Sequence, residues 1–325
     1  MTVGIVGCGL IGQKRAAALA GAKLVACADV SLDRAQALAA RHPGAAALAD
    51  WRKLVALPGV QIVVVATPHD QLPLVTLGAI QAGKHVLVEK PAARTAEELD
   101  PAIAAARKAG VRVRVGFNHR YHPAFLRMQQ IVAAGEAGEL MFVRARYGHG
   151  GRLGYDKEWR AEKAIAGGGE MIDQGMHLID LARLFLGDFA SARGSVPTYF
   201  WNMAVEDNGF MLLETAKRQV AFLHASWTEW RNTFSFELYG RAAKLEVTGL
   251  GGSYGDERLA FYKMSPAMGP PETTIWEYRG PDTSWELEFR EFLDDIRLQR
   301  EPAAGLNDAR AALDVVGRIY REQGR

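Results

Sequence analysis

Val3-Gly4-Ile5-Val6-Gly7-Cys8-Gly9-Leu10-Ile11-Gly12 stands almost at the start of the chain, and its order decides the fold. An apolar run enters a Gly-x-Gly-x-x-Gly turn, and an Ala-rich, amphipathic stretch follows it. A strand, a phosphate-binding turn and a helix read in that sequence. Gly7 permits the tight turn, Gly9 lets the backbone approach a pyrophosphate, and Gly12 lets helix and strand pack closely. The free N–H groups at Leu10 and Ile11 then face phosphate oxygens. Taken alone, the glycines could be an incidental turn. The next apolar run, Lys23–Asp29, ends in an acid about twenty residues on, which is where a ribose-binding carboxylate belongs.

Outward from this stretch, Val/Ile-rich runs alternate with helical ones as far as residue 118. The strands read as Val3–Gly7, Lys23–Asp29, Gln61–Ala66, His85–Val88 and Val111–Gly116, with helices near 11–21, 32–41, 70–83 and 95–109. Strands apolar throughout, alternating with helices, give an α/β fold with a doubly wound parallel sheet of Rossmann type. Beyond residue 120 the texture changes. A helix over Pro123–Ala134, a strand over Leu140–Gly148 and a Gly- and charge-rich loop lead to a helix over Glu170–Leu186. Strands then follow one another at 190–201, 208–215, 219–228, 233–240, 243–249, 257–263 and 273–279, before helices near 283–300 and 306–323. Strands without intervening helices make this half an α+β domain with an antiparallel sheet. The division is therefore a dinucleotide-binding domain over 1–120 and a substrate-binding, oligomerising domain over 121–325, with the C-terminal helix able to pack back on the first.

The totals agree with a soluble enzyme of two domains. The 325 residues exceed what one compact core takes, and a net charge of +2 gives no electrostatic reason to expect nucleic acid or a membrane surface as partner. Cys8 and Cys27 lie in apolar runs, too few for a disulfide framework. With no leader and no apolar stretch of spanning length, a cytoplasmic protein is expected.

Asp29 also bears on the cofactor. A carboxylate accepts from a ribose 2′-hydroxyl and repels a 2′-phosphate, so NAD is favoured over NADP; Arg34 is the one nearby cation that would argue the other way.

Two further segments carry chemistry. Glu89-Lys90-Pro91 follows the strand His85–Val88, and ligands in a doubly wound sheet sit outside the carboxyl ends of strands. Lys90 is thereby placed beside the cofactor, where it can hydrogen-bond a reacting hydroxyl; alone, it would read as an exposed lysine at a strand end. In Gly167-Gly168-Gly169-Glu170-Met171-Ile172-Asp173-Gln174-Gly175-Met176-His177, a helix starting after the glycines puts Asp173 and His177 on one face. A carboxylate beside an imidazole suits a general acid/base, whereas a core histidine satisfied by a carbonyl is the bland alternative. An Asp/His metal pair is a third reading, but no Cys or Glu cluster completes a ligand set, so no metal is expected.

These segments, together with Thr67-Pro68, Ala82-Gly83-Lys84-His85-Val86 and Gly116-Phe117-Asn118 in the same order, resemble the glucose–fructose oxidoreductase / inositol dehydrogenase / MocA family along the whole chain. The resemblance implies a Rossmann domain followed by a large, open, mainly antiparallel sheet. It implies that Lys90 bonds the reacting oxygen, that the Lys90–Pro91 peptide is cis, that His177 is the acid/base and that Asp173 is the carboxylate near it. It places Asn118, with Arg120 beside it, near the substrate, and Trp159-Arg160 near the nicotinamide. Thr67, Pro68 and Glu89 fall among the cofactor contacts. The chain departs from the pattern at Leu72, where many relatives carry histidine, and His69 sits earlier.

The expected reaction is hydride transfer between NAD and a secondary alcohol or ketone of a sugar, polyol or sugar nucleotide. The loop with His149, Arg152, Tyr155, Lys157, Trp159 and Arg160 offers aromatic faces for sugar C–H groups and arginines for phosphate or carboxylate; Tyr155 is the substrate contact expected from it. Aromatic density at Tyr199-Phe200-Trp201-Asn202 and Trp227-Thr228-Glu229-Trp230 reads as sheet packing or subunit burial. Relatives associate through the sheet face, so a homodimer or homotetramer is expected. The rival readings are a non-catalytic NAD(P)-binding sensor on the same fold and a metal-dependent lyase or isomerase. A short-chain dehydrogenase is disfavoured, because no tyrosine has a lysine four residues later.

Overall fold

A computed structural model describes residues 1–324 of the chain. They divide into two units, Met1–Phe117 with Trp285–Arg310, and Asn118–Ser284 with Ala311 onward. The first boundary lies near residue 120, but the return of 285–310 to the first unit corrects the contiguous 121–325 division. The reason is apolar burial. Phe289 and Phe292, 1% and 0% exposed, join the core formed by Val3, Ile5, Leu24, Cys27 and Leu87.

The first unit is built on six parallel strands in the order β3-β2-β1-β4-β5-β6. These are β1 (Thr2–Val6), β2 (Lys23–Ala28), β3 (Ala46–Leu48), β4 (Ile62–Val65), β5 (His85–Glu89) and β6 (Val113–Gly116). The helices between them are α1 (Leu10–Ala17), α2 (Leu32–Ala39), α3 (Trp51–Val55), α4 (Leu72–Gln81) and α5 (Asp100–Ala109). β3 and α3 are too short to show a period in sequence. α3 is started by Asp50, whose side chain accepts from the Arg52 N–H at 2.9 Å. The strand order turns back between β1 and β4, the switch point where ligands of such sheets bind.

The second unit carries eight strands in the order β14-β13-β12-β11-β7-β10-β9-β8. They are β7 (Leu140–Gly148), β8 (Phe189–Ser195), β9 (Asn208–Thr215), β10 (Val220–Ser226), β11 (Thr233–Gly240), β12 (Ala243–Thr248), β13 (Glu257–Lys263) and β14 (Glu272–Tyr278). In this sheet, among the described residues, β7 and β10 pair in parallel and the other ladders are antiparallel. β11 shows the period of two, with Phe234, Phe236 and Leu238 buried and Ser235, Glu237 and Tyr239 on the other face. The helices are α6 (Pro123–Ala133), the short α7 (Lys163–Ala166) and α8 (Glu170–Asp173), and α9 (Gly175–Leu186), which packs on β7 and β10. α10 (Ser284–Arg297) and α11 (Leu306–Glu322) close the chain.

Two expected elements are corrected. The strand read over 190–201 ends at Ser195, because the N–H groups of Tyr199, Phe200 and Trp201 bond the Asp207 carboxylate instead of a neighbouring strand. The single helix read over Glu170–Leu186 is broken at Gln174, and the His177 N–H bonds the Gln174 carbonyl three residues back. No helix among the described residues is long and apolar enough to cross a membrane.

Candidate active site

The dinucleotide turn is fitted as its sequence requires. Gly7 has φ +93°, and a Cβ there would lie 2.4 Å from the Ala66 carbonyl oxygen. A Cβ on Gly12 would fall 1.9 Å from the Gly7 oxygen, so only glycine lets α1 sit this close to β1. Around Gly9, by contrast, a Cβ would meet nothing within 4 Å, and no side chain caps the first turn of α1. Leu10 is 72% exposed there and Ile11 is half-buried. Asp29, at the end of β2, accepts from the Cys8 N–H at 2.8 Å and the Ser31 N–H at 2.9 Å. A carboxylate has about four acceptor positions, so ribose hydroxyls can still be received. At the end of β4 the Thr67 hydroxyl is buried with no partner. An open glycine cradle, an uncapped helix start, an acid and an orphaned hydroxyl at one switch point fit a dinucleotide. Leu72, where the family pattern has histidine, is fully buried at the start of α4, and His69 is buried just before it.

The Lys90–Pro91 peptide is cis, as the family resemblance implies. Glu89, expected among the cofactor contacts, is engaged elsewhere. It accepts from Arg15 Nε at 2.5 Å, while Arg15 Nη1 reaches Glu288 of α10, also at 2.5 Å. Arg15 is 1% and Glu288 0% exposed. Burial disfavours the Glu288 charge most and pushes its carboxyl above the usual range, although Arg15 and Arg114 oppose this. Breaking such a buried pair typically costs about 3–5 kcal/mol.

In the second unit, His177 is 5% exposed on α9 and stacked on His119, with ring centroids 3.7 Å apart and planes at 16°. Tyr147 faces it at 6.3 Å. Asn118, expected near substrate, is 4% exposed; its amide donates to Ser284 Oγ at 2.9 Å and its oxygen lies 3.3 Å from His119 Nδ1. It thereby steadies the ring on which His177 rests. Asp173 accepts from Arg160 Nε at 3.2 Å, and the guanidinium lies 4.5 Å from the Trp159 ring. Burial works against the Arg160 charge, but Asp173 holds its pKa above the ordinary value. His149, by burial and the nearby Arg152 and Arg160, is held below the ordinary histidine value despite Asp173.

Arg120 stands apart from the expectation of a substrate contact. Its guanidinium forms a two-point pair with Asp180 at 2.7 and 2.5 Å, both residues buried. Tyr155, the expected substrate contact of the loop, lies 4% exposed against Trp227 at 4.9 Å. Burial first, then Asp173, pushes its hydroxyl well above the usual tyrosine value. Sequence reasoning missed His119, Tyr147, Tyr254 and the fully buried Glu170. Gln174 donates to the Tyr254 hydroxyl at 2.7 Å, and burial pushes that hydroxyl up to about 12. Histidine at 119 was the one readable signal, a ring three residues after an apolar strand end. Among the described residues no three of His, Cys, Asp and Glu are grouped to hold a metal ion.

Residues 1–117 match the oxidoreductase family model with an NAD-binding Rossmann fold, and residues 125–246 match the GFO/IDH/MocA C-terminal domain. Inositol 2-dehydrogenase of Salmonella paratyphi B is 31% identical over 316 residues, covering 93% of this chain and 88% of that protein. Levoglucosan dehydrogenase of Pseudarthrobacter phenanthrenivorans is 28% identical over 230 residues, 67% of this chain but only 59% of that relative's length. A levoglucosan dehydrogenase solved with NADH and levoglucosan shares the fold, with a TM-score of 0.88 and 22% identity over 99% of this chain and 97% of that one. With a glycine cradle, a ribose-side acid and both domains of the family present, the chain belongs to the glucose–fructose oxidoreductase / inositol dehydrogenase / MocA family of NAD-binding oxidoreductases.

Proposed function

We propose that the chain moves a hydride between NAD and a secondary alcohol or ketone of an uncharged sugar or polyol. The observation that carries this reading is the buried His177, braced by His119, one turn after an Asp173 held by Arg160. Bound NAD supplies the hydride acceptor, held by Gly7, Gly9, Gly12, Asp29 and Thr67. In the oxidative direction His177 takes the proton of the substrate hydroxyl. The negative charge of Asp173 favours the imidazolium that results. Lys90 donates a hydrogen bond to the reacting oxygen and stabilises its developing negative charge. Reduction reverses these steps.

The relatives' names point to sugars and polyols. A nucleotide-linked sugar has less support than its arginines suggested, because Arg152 pairs with Glu158 at 2.6 Å and Arg160 with Asp173. The reading is tested by NAD and NADP turnover over sugars, inositols, sugar acids and nucleotide sugars. His177→Ala and Lys90→Ala should each lower kcat about a hundredfold or more; values within a few-fold of wild type would overturn the assignment.

We further infer a cytoplasmic homo-oligomer. Cys8 and Cys27 are buried free thiols, which suits a reducing compartment. The outer sheet face exposes Phe142, Leu212 and Phe222 at 37%, 51% and 49%, a surface suited to a second copy.

A further inference from the structure

Glu206 and Asp207 adjoin in sequence and are buried together, at 1% and 0% exposure, yet they hold different structures. Glu206 accepts from the N–H groups of Gly169 at 2.9 Å and Met171 at 3.2 Å, and so fastens the start of α8, which carries Asp173. Asp207 accepts from three successive N–H groups, those of Tyr199 at 2.9 Å, Phe200 at 2.7 Å and Trp201 at 3.0 Å. Burial disfavours its charge, but these bonds outweigh that and hold the carboxyl below its usual range.

What this anchored loop displays is aromatic. Tyr199 is 70% and Phe200 55% exposed, and Trp230, 77% exposed, stands edge-on to Phe200 at 5.1 Å and 76°. Trp230 has φ +58°, a backbone region that a bulky residue enters only under strain. Gly150 and Gly151 make room beneath: a Cβ would lie 3.2 Å from the Trp230 Cα at the first and 2.5 Å from the Trp201 ring at the second. Folding alone favours burying such rings, so a strained, rigidly presented aromatic pair marks a surface kept for a ligand.

Ring contacts lead from the pair to the loop that also carries Arg160, the partner of Asp173. Phe200 packs on Trp201 at 5.3 Å, Trp201 on Tyr155 at 5.8 Å, and the Tyr155 hydroxyl feels the charges of Asp173 and Arg160. Arg152 and Arg160 are paired with carboxylates, while Arg231, next to Trp230, is exposed; what the pair itself offers is aromatic faces, which suit the C–H face of a sugar ring.

We propose that Phe200, on the Asp207-anchored loop, and Trp230, on the connection between β10 and β11, form a second sugar subsite, and that the substrate is a glycoside with one ring at His177 and the other stacked on this pair. The proposal rests on the hydride-transfer reading above. The ring at His177 loses a hydride from carbon to NAD and a proton from its hydroxyl, and the glycosidic bond stays intact.

The test is steady-state turnover by the full chain with NAD on glucose, methyl β-D-glucoside, cellobiose and maltose. A disaccharide should show a KM at least about tenfold below that of glucose. Trp230→Ala and Phe200→Ala should raise that KM about tenfold, a loss of about 1.4 kcal/mol, while kcat and the glucose KM hold; Trp230→Tyr should restore it. Trp230→Gly should lose the disaccharide preference yet raise Tm by relieving the left-handed backbone. Equal KM values for glucose and both disaccharides, or variants that shift all substrates alike, overturn the subsite. So does dissociation of the variants into smaller species in sedimentation without a KM split, which makes the pair a subunit contact. If no sugar is turned over, quenching of tryptophan fluorescence by cellobiose that is lost in Trp230→Phe keeps the subsite and refutes the hydride-transfer reading. Absence of quenching refutes the subsite.

Discussion

Asp29 commits both carboxylate oxygens to its own surroundings, one to the Cys8 N–H inside the glycine turn and one to the Ser31 N–H at the start of α2. It therefore shapes the cradle in addition to the ribose contact proposed for it. Asp29→Ala should raise the KM for NAD more than about tenfold and narrow the preference for NAD over NADP, since both the ribose acceptor and the 2′-phosphate repulsion go. Asp29→Asn keeps one acceptor oxygen and should fall between. Paired kcat/KM values with the two cofactors check this, and an unchanged ratio in Asp29→Ala would refute the role. Gly7, Gly12 and Asp29 were legible because their requirement is local: a positive φ, a missing Cβ, an acid at a strand end. The destination of Glu89 was not, because its partner Arg15 binds Glu288, 273 residues further along the chain than Arg15 itself. No local pattern announces such a pairing. Arg120 and Asp180, 60 apart, make the same point.

At the scale of elements, the outward side of the sheet is held by charge as well as by ladders. Glu237 on β11 accepts from Arg144 of β7 at 2.7 Å and from the Tyr239 hydroxyl at 2.6 Å, and Lys244 of β12 lies 3.0 Å away. Burial opposes the charge, but Arg144, Tyr239 and Lys244 lower the carboxyl from 4.5 to about 2. A depressed carboxylate adds stability above its unfolded value, and that stability is lost as pH falls through the folded value. Glu237→Gln should therefore lower stability by about 1–2 kcal/mol at pH 7, after solvent screening. The gap to wild type should persist down to about pH 4.5 and close towards about pH 2. Urea midpoints of both proteins at pH 7, 5, 4 and 3 measure it, and a gap that does not narrow in acid would contradict the assignment. The same scale shows where pattern reading fails. The run over 170–186 has no helix breaker other than Gly175 and reads as one helix, yet it breaks at Gln174, where the His177 N–H bonds the Gln174 carbonyl. The residues after Ser195 look like a strand until Asp207 captures their N–H groups.

For the molecule as a whole, the exposed rings of Phe142 and Phe222 bear on assembly. Phe142 stacks on Tyr239 at 4.2 Å, and with Met141, Val220 and Phe222 it lines a shallow depression on the sheet. The double variant Phe142→Glu/Phe222→Glu should sediment as a smaller species than wild type, because charge placed in an apolar interface resists desolvation. A wild type that sediments as a monomer refutes the homo-oligomer. The sequence by itself determined the architecture of both halves, since hydrophobic period and glycine spacing are properties of neighbours in the chain. It determined the cofactor class and named Lys90, Asp173 and His177. Only the tertiary structure decided that α10 belongs with the nucleotide-binding unit, that His119 braces His177, that Glu206 fastens the start of α8 and that Asp207 holds the loop carrying Phe200. Those are contacts between residues far apart in sequence, and they exist only once burial has closed the distance.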